Sequence, residues 1–111
     1  MASKRVPLHK GFCTEMAGGR VKMEVVDLAG VVVKRVSHAP GWRWSEHSAE
    51  LVGTPRCPRK HVGVIIEGRM WVEDADGSGF EATEGDVVAI EPGHDAWTVG
   101  EDPSVMIEFT N

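Results

Sequence analysis

Apolar and polar side chains alternate in short runs along most of this chain, with the two-residue period of half-buried strands. VKMEVVDL (21–28) alternates, VVVKRV (31–36) is β-branched, and GWRWSEH (41–47) alternates in a different phase. HVGVII (61–66), RMWVED (69–74), FEAT (80–83), DVVAI (86–90), AWTV (96–99) and VMIEFT (105–110) follow. Between them AG, APG, EG, ADGSG, EGD, EPGHD and GEDPS bring Gly, Pro and Asp to the turns. No stretch holds a 3.6-residue period over a helix length. Short strands at a spacing of roughly 8–12 residues predict an all-β sandwich or barrel. Residues 1–20 have no clear period and contain Gly18-Gly19; they read as an N-terminal arm with room for one short strand, ahead of a domain over 21–111. SAELVGTPRCPRK (48–60), with two prolines, reads as a loop inserted between strands.

Strand parity sorts the side chains further. In GWRWSEH, Trp42 and Trp44 share one face, and Arg43, Ser45 and His47 the other. In HVGVII, Val62, Val64 and Ile66 share one face, and His61, Gly63 and Ile65 the other. If the histidine faces point into a barrel, the Trp pair and the Val/Val/Ile row point outward and need cover. A homodimer is the expectation that follows.

Composition narrows the partners more than it names them. At 111 residues the chain is one domain, and 41% hydrophobic with 26% charged residues is a globular balance. The formal net charge of −5 argues against nucleic acid or an anionic membrane, either of which calls for a basic patch. No apolar run approaches the roughly 20 residues that span a bilayer. MASKRVPLHKGF lacks the apolar segment of a signal peptide. Two cysteines, Cys13 and Cys57, fall short of a disulfide framework, so a reducing cytoplasmic setting is expected, with a Cys13–Cys57 bridge the minor alternative.

Two glycine-led stretches carry a family likeness. Gly41 is followed by WRWSE and His47; His61 is followed by VGVIIE and Gly68; Gly85 is followed by DVVAI and Glu91-Pro92-Gly93-His94-Asp95-Ala96. In these, the chain over about 30–110 resembles the cupins, small double-stranded β-helix (jelly-roll) barrels. The likeness includes the hairpin IIEGRMWVEDADGSGFEATEGDVVAIEPG. It implies an all-β jelly-roll whose motif residues line a barrel mouth and bind a divalent metal. Three motif positions depart from the family: Ala49 and Ala96 stand where histidines are expected, and His61 where a glutamate is.

His47 and His61 are therefore the motif positions that keep a metal donor. Cys57, four residues before His61, and His94, two residues before Ala96, are further donors within reach. A His47/Cys57/His61/His94 set offers three imidazoles and a thiolate, suited to zinc and also to nickel, copper or ferrous iron, with manganese also implied by the family. Each has a plainer alternative. Cys57 reads equally as a loop thiol, His94 as a turn residue whose ring bonds a nearby carbonyl, and the other two as partners of each other or of an anion. Glu46 and Asp95, on opposite strand faces from the histidines beside them, are second choices. Arg43, if it points inward, would bind a small carboxylate through its planar fork. Trp71 and Trp97 are candidate pocket walls, with packing as their ordinary role. His9 and His38 read as surface histidines, and Glu67, Asp74, Asp76 and Glu84 as solvated turn charges. Catalytic residues are not identifiable at this level. The resemblance implies a metal-dependent oxygenase or isomerase acting on a small organic molecule, or else a cupin that binds or senses such a molecule or a metal without chemistry.

Overall fold

The computed structural model describes residues 2–110. Nine strands form in chain order: β1 (Phe12–Met16), β2 (Val21–Leu28), β3 (Val31–His38), β4 (His61–Glu67), β5 (Arg69–Glu73), β6 (Gly79–Thr83), β7 (Val87–Ile90), β8 (Asp95–Thr98) and β9 (Ser104–Thr110). They make an all-antiparallel pair of sheets, ordered β1-β2-β3-β9-β4-β7 and β6-β5-β8. The period-2 reading located β2 to β9 because alternation matches burial. Val36, Ile65, Val88, Ile90 and Met106 point inward from the large sheet, and Met70, Val72, Ala82 and Ala96 from the small one. Among the described residues no helix is long and apolar enough to cross a membrane.

Turn chemistry sets the register. Leu28 pairs with Val31 across the two-residue turn Ala29-Gly30, and both turn residues have positive φ, 53° and 80°. That is the hairpin geometry whose twist matches right-handed strands. At Gly63 the two central strands come unusually close: a Cβ there would lie 2.1 Å from the Ile107 carbonyl oxygen. Only glycine fits, and the close approach sets Gly63 opposite Glu108 on β9.

The segment 41–52 differs from the strand-then-loop expectation. Arg43 keeps a bridge to Trp97, but Trp44–His47 and Ala49–Val52 form two helical turns, α1 and α2. Asp95 explains the switch: its carboxylate accepts from the Ser45 N–H at 3.0 Å and the Ser45 hydroxyl at 2.8 Å, so an end-of-helix donor is satisfied from another strand. Trp42 and Trp44 lie in the core rather than facing outward. Val62 and Ile66 do face outward and are exposed. Part of the N-terminal arm joins the sheet, since β1 pairs with β2 along its whole length.

Candidate metal centre

Three elements converge at one end of the barrel. His61 opens β4, and strand alternation turns it to the inner face with Gly63 and Ile65. His94 sits in the turn before β8, just after Gly93, whose φ of 89° makes the bend. Cys57 comes from the loop after α2. Its position is held by backbone: the Cys57 N–H donates to the His94 carbonyl at 2.9 Å, and the Gly93 N–H donates to the Cys57 carbonyl at 2.7 Å. Arg56 braces the same loop through an ion pair with Glu73 at 2.9 Å. One donor atom from each of Cys57, His61 and His94 then falls within 4.8 Å of the others.

The hydrogen bonds orient the donors. His94 Nδ1 lies 2.7 Å from the Glu91 carbonyl oxygen. A carbonyl only accepts, so Nδ1 carries the proton and Nε2 is free to act as a donor. His94 is thus both the turn residue bonded to a carbonyl and a member of the cluster. His61 Nδ1 is bonded to the Glu108 carboxylate, and its Nε2 faces Cys57 Sγ at 3.6 Å. The two imidazole rings meet edge to face at 5.1 Å. For a tetrahedral ion with Zn–S of about 2.3 Å and Zn–N of about 2.0–2.1 Å, a sulfur and a nitrogen ligand sit roughly 3.5 Å apart. The Cys57–His61 separation fits that edge. Both histidines also have Nδ1 engaged by an oxygen acceptor, the usual support for an Nε2 ligand.

The charges suit the same role. Burial pushes the Cys57 thiol up, but hydrogen bonds with His61 and His94 outweigh it and lower its pKa to about 6. Burial disfavours the charged His61 ring, but Cys57 and Glu108 together raise its pKa to about 9. The contact thus favours the thiolate of Cys57 and the protonated ring of His61 over the neutral pair. Glu108 is held below the usual carboxylate range by His61, against the upward pull of burial.

Other expected site residues lie elsewhere. His47 is not part of the cluster. The α1 turn brings its Nδ1 back onto the Arg43 N–H at 3.0 Å, which a straight strand would not have done. Arg43, Trp71 and Trp97 form a stack on the face of the small sheet opposite the core, because Trp71 pairs with Trp97 across β5–β8 and Arg43 bridges to Trp97. The Trp rings are 6.2 Å apart, the Arg43 guanidinium lies 4.3 Å over Trp97, and its Nε pairs with Asp95 at 3.0 Å. Arg43 thus points away from the histidines. Cys13 is exposed and Cys57 buried, both free thiols. His38 is buried rather than on the surface, its ring tilted against Trp42 with centroids 4.3 Å apart. Glu108 and His38 are the chemically loaded residues that strand reading passed over. Each had a signal, since each lies in phase with an inward apolar residue, Met106 and Val36.

No family model matches the chain, and no curated protein does. Solved structures do. The cupin domain of Cnp3 from Schizosaccharomyces pombe is similar at a TM-score of 0.65, with 12% identity over 93% of this chain and 69% of that one. A sugar phosphate isomerase of the cupin superfamily from Silicibacter pomeroyi is similar at 0.67, with 14% identity over 96% and 74%. The polyketide cyclase RemF from Streptomyces resistomycificus is similar at 0.67, with 17% identity over 97% and 78%.

Proposed function

On this cupin fold, we propose a divalent-metal centre held by Cys57, His61 and His94 and open to a small organic ligand. The observation that carries it is the convergence of one thiolate and two imidazole donors, from three separate elements, within 4.8 Å. Three protein ligands leave a coordination position for substrate or water, the pattern of catalytic rather than structural sites. A bound ion would act there as a Lewis acid on an oxygen of the ligand. The sugar phosphate isomerase and the polyketide cyclase among the similar structures lend support to an enzyme acting on a small molecule. Zinc, nickel and ferrous iron all suit a thiolate with two imidazoles. Manganese fits this set less well, because it prefers oxygen donors.

A second reading, metal or small-molecule binding without turnover, is favoured by enclosure: Cys57 and His94 are only 4% and 3% exposed. Elemental analysis after stripping and reloading with each ion tests the centre. Wild type and His47→Ala are expected to hold close to one ion per chain. Cys57→Ala, His61→Ala and His94→Ala should lose more affinity than the roughly 10–100-fold that a supporting partner costs. Equal metal in all five proteins would rule out these ligands. Ligand-induced thermal shifts without turnover would select the binding reading.

A further inference from the structure

Glu108 lies outside the three-donor set, yet its placement is hard to explain without it. It is a carboxylate 8% exposed on the inner face of β9, in line with buried Met106 and across from Gly63. Burying a carboxylate among apolar side chains is costly unless it is paired. Its hydrogen-bond partner is His61 Nδ1, and it reaches that atom because Gly63 lets β4 and β9 close up. Lys34, its cross-strand neighbour on β3, is the nearby cation, and His38 is the other titratable group facing it from β3.

We propose that Glu108 is a positioning residue of the metal centre, fixing His61 with Nδ1 protonated and Nε2 turned to the ion, and supplying the second negative charge that a buried divalent cation needs. The inference rests on the metal reading above. An ionised carboxylate only accepts, so the His61 proton stays on Nδ1 and the lone pair of Nε2 is presented beside Cys57 Sγ. The charges then balance: a thiolate and a carboxylate, one negative charge each, against a doubly positive ion. His94 is supported differently, by the neutral carbonyl of Glu91. The two imidazoles are thus unequal, and His61 is the more strongly donating ligand.

The test is zinc affinity by chelator competition, with cobalt(II) spectra, for the wild type and Glu108→Gln. Gln keeps the shape of the side chain and removes its charge. Affinity is expected to fall about 10–100-fold in the variant. The thiolate-to-cobalt absorption should persist, since the ligands are unchanged; a purely structural role would leave affinity untouched or abolish the spectrum along with the fold. Nitrogen-15 NMR of histidine in the metal-loaded wild type needs no variant. It should show His61 with Nδ1 protonated and Nε2 bound to the ion, and the reverse assignment overturns the proposal. Absence of binding by the wild type overturns the metal reading and this inference with it. Binding by the wild type that Glu108→Gln leaves unchanged overturns this inference alone.

Discussion

His38 brings an imidazole into the core, and among the described residues its Nδ1 has no hydrogen-bond partner. Burial lowers its pKa to about 4, only partly offset by the Glu108 charge and a backbone bond to Ser104. The native state therefore holds His38 neutral where the unfolded chain, with a pKa near 6.5, takes up a proton. The unfolded state binds more protons between pH 6.5 and 4, so stability falls as pH drops through that window. His38→Phe should flatten the decline by on the order of 3 kcal/mol, seen in denaturant melts at pH 7 and pH 4.5. At this scale the sequence exposed part of the site. His61 stood out as a motif position that keeps a donor, and Cys57 and His94 as donors a few residues from motif positions, each with a plainer alternative. Glu108 was hidden in VMIEFT, where alternation puts Met106 and Glu108 on one face but cannot say that the face is dry. His47 was included because it follows Gly41 at the family motif's spacing, and the Asp95–Ser45 contact that folds this stretch into a helical turn joins residues 50 apart.

The pairing of β4 with β9 places the centre more than any single loop does. Gly63→Ala would set a methyl group against the Ile107 carbonyl, push the two strands apart and draw Glu108 away from His61. The expected cost is about 1–3 kcal/mol in chemical denaturation, with weaker zinc binding at temperatures where the variant is still folded. Unchanged stability and affinity would show that the close approach does not matter to the site. Strand elements were legible from the chain alone because period 2 and turn residues are local signals. The segment 41–60 was not. Its helical turns and its return to the 91–94 turn depend on Asp95, Gly93 and His94, which are distant in sequence.

The barrel buries one face of each sheet and leaves an apolar strip on the outer face of β9, β4 and β7. Ile107, Val64 and Val87 lie in one row across these strands, with Val62 and Ala89 in the next. Val87, Phe109 and Val62 are 79%, 46% and 41% exposed. We propose this face for the homodimer expected from the outward apolar rows, although the two Trp residues that helped to motivate it are core. A dimer across this face predicts twice the chain mass in native mass spectrometry at micromolar concentration, and a monomer after Val87→Lys. A monomeric wild type excludes it. Alternation pointed to an all-β sandwich or barrel and the likeness of the glycine-led stretches to cupins implied the jelly-roll, whereas an oligomer would depend on faces that a single chain leaves bare. One detail of the mouth reaches beyond this protein as it stands. Residue 57 is fastened by its own N–H and C=O to His94 and Gly93, so its backbone is held by bonds that do not involve the sulfur it carries. An exchange of the donor at that socket is expected to leave these two backbone bonds in place. Whether the centre favours soft or hard ions is then a one-residue variable, open to change by substitution while the fold stays constant.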